Sequence, residues 1–319
     1  MPERTVAVNG AELHVVEEGT GPPVIFAHGF PELAYSWRHQ LPAIAAAGYR
    51  AIAPDQRGYG RSSKPDEVAA YDMRHLTGDL IALLDDLGEQ RAVFVGHDWG
   101  SMVVWQTALL HPDRVAGVCG MSVPFSPRPL RPPTELWREA FRDRFFYILH
   151  FQETGVADAE LAADPATTMR RLLCGVRTEP GVESGLVSAA DGRNFLDRFP
   201  EPDGLPAWLS QADLDHYVAE FARTGFTGGL NWYRNFDRNW EITPELAGAK
   251  VQVPSAFIGG ELDPVLVGAP PSTQDGWLTR HQGDVLVPDA GHWVQQEKPD
   301  EVNAALLSFF DFVDRQEIA

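Results

Sequence analysis

Residues 94–101 read FVGHDWGS. An apolar run, Ala92-Val93-Phe94-Val95, ends in Gly96-His97-Asp98-Trp99-Gly100. A sharp strand–turn–helix forces unfavourable dihedrals on its central residue and brings the backbone close to its neighbours. Glycines two before and two after that residue remove the clashing side chains. The frame is that of Gly-x-nucleophile-x-Gly, with an aspartate in place of the commoner serine. The start of the following helix adds free N–H groups and partial positive charge, which keep a carboxylate ionised. A plainer reading is that Asp98 only caps that helix, because aspartate is a favoured cap residue. The pentapeptide alone does not separate the two.

The surrounding rhythm supports a strand before the turn and a helix after it. Residues 24–28 (VIFAH), 49–54 (YRAIAP) and 115–123 (VAGVCGMSV) are further strand-like runs. A helix is expected over 72–87, with Leu76, Leu80, Leu83, Leu84 and Leu87 on one spacing, and another from Trp99 toward Leu110. Strands alternating with helices imply a mainly parallel sheet covered on both faces. The rhythm breaks at 124–133, PFSPRPLRPP, whose five prolines fit neither a helix interior nor a central strand. Helices are expected over 135–152 and 211–223, with no strand of the earlier type between 134 and 245. Strands return at 253–259 and 284–288, and an amphipathic helix closes the pattern over 299–313. The expected organisation is one α/β domain interrupted by a helical insertion: core 1–127, cap 128–245, core 246–319.

The chain has 319 residues, 44% of them hydrophobic, and a formal charge of −19. So acidic a surface repels phosphate backbones and anionic membranes, which argues against nucleic acid as a partner. Cys119 and Cys174 form no spacing motif, so neither a disulfide framework nor a structural metal is expected. The first residues, MPERTVAVNG, lack the basic and apolar regions of a signal peptide, and no run is long enough to span a membrane. A cytoplasmic location is the expectation; the assembly state is open, with a homodimer among the options.

Downstream of the elbow two more strand–loop junctions carry titratable groups. Gly259-Gly260-Glu261-Leu262-Asp263-Pro264 offers two acids, and Asp289-Ala290-Gly291-His292-Trp293 a histidine. The chain order nucleophile, acid, histidine is that of a triad on such a sheet. His292 is then the base that deprotonates water, and Asp263 fixes its tautomer and stabilises the imidazolium. Glu261 is the alternative acid; Asp263 is preferred because it lies further beyond the strand end. An oxyanion hole needs two N–H groups. Trp99 and Phe30, the latter in the loop His28-Gly29-Phe30-Pro31, stand where they are needed.

An aspartate is charged at neutral pH without help from a base. It suits attack at an sp³ carbon, leaving an alkyl-enzyme ester that His292-activated water then cleaves. Epoxides and haloalkanes or haloacids fit. An epoxide oxygen leaves as an alkoxide and calls for an acid still protonated at pH 7, which a tyrosine provides. The insertion holds Tyr147, Tyr217 and Tyr233.

HGFPELAYSWRHQ (28–40), DQRGYGRSSKP (55–65), GHDWG (96–100), FQETGVADAEL (151–161), TGFTGGLNWYRNFDRNWE (224–241) and AGHWVQQEKPDEVN (290–303) together resemble the α/β-hydrolase-fold epoxide hydrolases, over nearly the whole chain. The likeness is greatest to the actinobacterial enzymes and the catalytic domain of the mammalian soluble enzyme. It implies an eight-stranded, mainly parallel sheet with a helical cap inserted after the sixth strand. It also implies Asp98 as nucleophile, His292 as base, Asp263 as relay acid, and Tyr147 and Tyr233 as the cap tyrosines. Tyr217 has no counterpart role. His28, Pro31 and Trp232 are expected at the substrate pocket, the substrate is expected to be a small hydrophobic epoxide with water, and no cofactor or metal is implied. Dehalogenases of this fold usually carry Asn at the position of Phe30, or Arg after the nucleophile, so both features point away from them. A non-catalytic ligand-binding role is the remaining alternative. FQETG departs from the usual FQEPG, and residues 264–280 follow no recognised pattern.

Overall fold

The computed structural model of the chain describes residues 1–178 and 183–318. Its main sheet contains Glu3–Val8 (β1), Ala11–Glu18 (β2), Pro23–Ala27 (β3), Arg50–Pro54 (β4), Ala92–His97 (β5) and Val115–Met121 (β6). Two short strands, Arg144–Phe146 (β7) and Val187–Ala189 (β8), pair only with each other; Val251–Gly260 (β9) and Leu278–Val287 (β10) complete the main sheet. The order is β1-β2-β4-β3-β5-β6-β9-β10. Within this sheet only the pairs β1/β2 and β2/β4 are antiparallel.

Successive strand residues point to opposite faces, and here both faces are covered. Ile25, Ala27 and Phe94 pack with helices Met73–Asp86 and Trp99–Leu110. Val24, Phe26, Val93 and Val95 pack with helices Gln40–Ala46 and Pro299–Ile318. That is why β3 and β5 read as unbroken apolar runs rather than alternating ones. Each fully buried side chain of this kind contributes about 1.5–3 kcal/mol.

The parallel arrangement brings the loops after β3, β5, β9 and β10 to one edge of the sheet, since all four strands run the same way. Ligands of open α/β sheets bind at that carboxyl edge. Between β6 and β9 lie the proline-rich stretch and a set of helices, among them Pro133–Ala140, Val156–Ala163, Pro165–Gly175, Gln211–Thr224 and Thr227–Arg234. Among the described residues no helix is long and apolar enough to cross a membrane.

One expectation is corrected. The helix expected over 135–152 ends at Ala140; Arg144–Phe146 is a strand, and a new single turn of helix covers Tyr147–His150. The strand's partner β8, where Phe145 lies opposite Ser188, comes some forty residues later, and the two form a short pair apart from the main sheet, unlike the strands read earlier in the chain. A second finding is the hairpin β1–β2, for which no strand was expected. Its two-residue turn is Asn9-Gly10, with φ of 43° and 75°, the left-handed pair that an Asn-Gly turn supplies.

Candidate active site

Asp98 sits at the β5–helix junction with φ 52° and ψ −118°. A Cβ on Gly96 would lie 2.1 Å from the Gly100 carbonyl oxygen, and one on Gly100 would lie 1.9 Å from that of Ala27, so the turn admits only glycine at both places. Asp98 occupies the cap position of the following helix, but its side chain makes no capping hydrogen bond. It points instead across the sheet edge. The Phe30 N–H donates to Asp98 Oδ1 at 2.8 Å, while Oδ2 faces His292 Nε2 at 3.5 Å. Trp99, the first residue of the helix, has its N–H among those without an intrahelical partner. Burial alone would raise the Asp98 pKa. The hydrogen bond and charge of His292, the charge of His97 and the Phe30 N–H outweigh it, and the carboxyl is held below its ordinary value.

His292 Nδ1 lies 2.9 Å from Asp263 Oδ2, and the other oxygen of Asp263 accepts from the Val265 N–H at 2.9 Å. Asp263 is buried, whereas Glu261, the alternative acid, is exposed. Burial opposes charging of His292, yet Asp263 and Asp98 on either side raise its pKa well above the ordinary value. Its backbone is fixed as firmly as its ring. Ser122 Oγ donates to the His292 carbonyl at 2.8 Å, and Glu297 accepts from Gly291 N–H at 2.8 Å and from Trp293 N–H at 3.0 Å.

Above these groups lies a cavity lined by Phe30, Pro31, Asp98, Tyr147, Phe151, Leu172, Val176, Leu186, Phe195, Tyr233, Val265, His292 and Trp293. Tyr147 and Tyr233 meet edge to face, with centroids 5.8 Å apart. Burial, and then the neighbouring charge of Asp98, push the Tyr147 hydroxyl up; burial, Tyr147 and Asp98 do the same to Tyr233. Both therefore keep their protons at neutral pH. Tyr217 is elsewhere, donating to Gln296 Oε1 at 3.2 Å.

Of the three residues expected at the pocket, Pro31 lines it and the other two do not. His28 is wholly buried behind the loop, its Nδ1 2.9 Å from the Gly29 carbonyl and its Nε2 accepting from the Gln56 N–H at 3.0 Å. Trp232 sits behind Trp99, ring centroids 5.8 Å apart, and donates its indole N–H to the Arg57 carbonyl. Both shape the wall without facing the cavity, because each polar edge is already bonded to backbone.

Sequence reasoning missed a buried layer beneath Asp98, Asp263 and His292. Glu32 accepts from His97 Nδ1 (2.7 Å), the Gly29 N–H (3.2 Å), Gln295 Nε2 (2.9 Å) and Gln296 Nε2 (2.8 Å). His97 Nε2 in turn lies 2.7 Å from the His292 carbonyl. The signal was present: Glu32 stands in the HGFPE run and His97 inside the elbow, both polar residues amid apolar strand ends. Val265 was also missed. It carries the unrecognised 264–280 stretch to the site, with its N–H on Asp263 and its side chain on the cavity.

A family model described as alpha/beta hydrolase fold matches residues 22–299. The chain is 59% identical to Epoxide hydrolase A of Mycobacterium tuberculosis, covering 96% of each. It is 38% identical to Bifunctional epoxide hydrolase 2 of Sus scrofa, over 95% of this chain and 54% of that protein. Among solved structures, Epoxide Hydrolase A from Mycobacterium thermoresistibile superposes with a TM-score of 0.93 at 55% identity, covering 97% of each chain.

Proposed function

Since the chain belongs to the α/β-hydrolase-fold epoxide hydrolases, we propose that it turns small hydrophobic epoxides into vicinal diols through Asp98, His292, Asp263, Tyr147 and Tyr233. The overall reaction, hydrolysis of an epoxide ether bond, is that of the family. The residue roles are our reading, and one observation carries it: a carboxylate, an imidazole and two phenols face the same otherwise apolar cavity.

Asp98 Oδ2, the oxygen turned toward the cavity side of His292, attacks an epoxide carbon. The C–O bond breaks, its electrons move to the ring oxygen, and a proton from Tyr147 or Tyr233 arrives there. A phenol is the right donor because it stays protonated at working pH and is still more acidic than the alcohol it makes. The product is an ester on Asp98. Its carbonyl oxygen is Oδ1, already hydrogen-bonded by the Phe30 N–H, with the Trp99 N–H as second donor. His292 then takes a proton from water, and the hydroxide adds to Cγ. The intermediate collapses to the carboxylate and releases the diol. One proton of the water ends on the second hydroxyl and the other restores the His292 imidazolium, whose earlier proton went to the tyrosinate. The diol oxygen gained in the first turnover thus comes from Asp98.

Among the described residues the lining offers no cation beyond His292 to hold a substrate carboxylate, so neutral epoxides suit it best. The core 1–127 with 246–319 supplies the triad and the cap 128–245 the phenols. Cys119 and Cys174 are both free, which fits a cytoplasmic enzyme.

The test is His292→Gln. With styrene oxide it should accumulate an adduct whose mass exceeds the protein's by that of the epoxide, mapped to the peptide holding Asp98. No adduct on rapid quench would refute the two-step scheme.

A further inference from the structure

The two phenols come from separate pieces of cap, and the side chains of Gln152 and Arg234 join them. Tyr147 lies on one turn of helix, Tyr147–His150, between β7 and the FQETG stretch. A lone turn has no stability of its own. Tyr233 lies on Thr227–Arg234, which is tied down to the core. On that helix Trp232 donates to the Arg57 carbonyl at 3.1 Å, and just after it Asn235 donates to the Val68 carbonyl at 2.6 Å.

Gln152 spans the gap. Its Nε2 donates to the Ile148 carbonyl at 2.9 Å and to the Tyr233 carbonyl at 3.0 Å. Both acceptors are carbonyl oxygens, so only the amide nitrogen can face them, and its two hydrogens are matched one to one. Arg234 crosses the same gap the other way, from its ion pair with Asp158 to the Phe151 carbonyl. The Phe151 ring fills the space between, 5.5 Å from the Tyr147 centroid and 5.0 Å from that of Tyr233.

We propose that Gln152 is a positioning residue for ring opening: its amide sets the Tyr147 turn against the Tyr233 helix, so that both hydroxyls meet one epoxide oxygen. This rests on the reading of the two tyrosines as the acid. Gln152 does not line the cavity, and its amide bonds the Ile148 and Tyr233 carbonyls rather than His292, Asp263 or the Phe30 and Trp99 N–H groups; only the Tyr233 ring packs on Phe30 and Trp99. Its loss therefore acts on the first chemical step and spares the second. A misplacement of about 1 Å costs on the order of 100-fold in rate, so slowing of roughly 10- to 100-fold is expected.

The experiment is single-turnover quench-flow on the full chain with styrene oxide, following appearance and decay of the Asp98 ester. Gln152→Met keeps the side chain's bulk and removes both donors. Gln152→Glu puts a carboxylate against two carbonyls. In both variants ester formation should slow by about 10- to 100-fold while ester decay stays within about two-fold of native. Partial unfolding lowers the amplitude of the signal and leaves these rate constants unchanged, so it cannot imitate the result. On a Tyr147→Phe background the effect of Gln152→Met should shrink to about two-fold, because the two residues act as a unit. Native ester formation in Gln152→Met, or equal slowing of both steps, overturns the proposal. A Tyr147→Phe/Tyr233→Phe enzyme with native ester formation overturns the acid assignment beneath it. Slow ester formation in that enzyme together with a native Gln152→Met overturns the clamp alone.

Discussion

Replacing Asp98 by asparagine imitates what the first half-reaction does to the site. The ester and the amide are both neutral and nearly isosteric with the carboxylate. In the resting protein His292 has Asp263 on one ring nitrogen and Asp98 on the other, at 2.9 and 3.5 Å. Unit charges 3.5 Å apart interact by about 5 kcal/mol at an effective dielectric constant near 20. At 1.36 kcal/mol per unit that is about three and a half pKa units. Asp98→Asn should therefore lower the His292 pKa by roughly two to three units, the residual Asn dipole keeping it short of the full value. NMR of labelled histidine checks this, with His292→Gln identifying the resonance among the ten histidines. A fall of less than about one unit would sink the reasoning, since Asp98 would then not be what holds the proton. The consequence for turnover is direct. The imidazolium that the resting site favours is useless as a base, and alkylation of Asp98 removes the charge that maintains it. The released proton restores the tyrosine, and a neutral imidazole then faces water.

Three further outcomes follow from the same geometry. A Cβ on Gly29 would lie 2.4 Å from Asp98 Cβ and Oδ1, so Gly29→Ala should turn the carboxylate off the Phe30 N–H. Ester formation should slow by about 100-fold or more with little change in melting temperature; a native rate in quench-flow would contradict the oxyanion geometry. Losing one tyrosine should leave residual ring opening, and losing both should remove roughly 10²–10⁴-fold, measured as diol release. Asp55 is the stability case. Burial would raise its pKa, but the His14 hydrogen bond and the N–H groups of Ala34 and Arg61 hold it to about 2, against an ordinary 3.8. A depressed carboxyl stabilises above its unfolded pKa, and that contribution fades as pH falls through the folded value. Asp55→Asn should cost about 2 kcal/mol at pH 7, with the gap closing as pH drops from 3.8 toward 2; a gap in urea midpoints that ignores pH would refute it.

What was legible in the sequence was what is local. The elbow combines glycine spacing, an apolar strand and a helix start within a dozen residues. Asp263 and His292 each follow a recognisable strand, so chain order pointed to them as a pair, and they lie 2.9 Å apart. The tyrosines are different. Nothing near Tyr147 or Tyr233 distinguishes either from a packing residue, and only resemblance to a family singled them out over Tyr217. Residues 135–152 misled because Leu136, Trp137 and Ala140 continue a helical spacing into Arg144-Phe145-Phe146. That segment becomes a strand only through β8, a partner invisible from its own sequence. The β1–β2 hairpin was readable in principle, since Asn9-Gly10 between alternating residues is a strong short-range signal.

The residue before the nucleophile explains how a carboxylate can be both buried and ionised. Transferring an unpaired carboxylate into a dry site costs several kcal/mol, and the group normally takes up a proton instead. Asp98 is only 7% exposed and remains charged because donors surround it: the Phe30 N–H, His292, and the charge of His97 from below. His97 is itself held between Glu32 and the His292 carbonyl, both at 2.7 Å. Both of its nitrogens face oxygen acceptors, so it makes both bonds only with an N–H on each. Glu32 supplies the compensating charge, kept ionised against its burial chiefly by His97. One ion pair thus supports the nucleophile electrostatically and fixes the backbone of the base. In FVGHDWGS the histidine is therefore as much a part of the chemistry as the aspartate. A serine, which is neutral until its base acts, would need no such support beneath it.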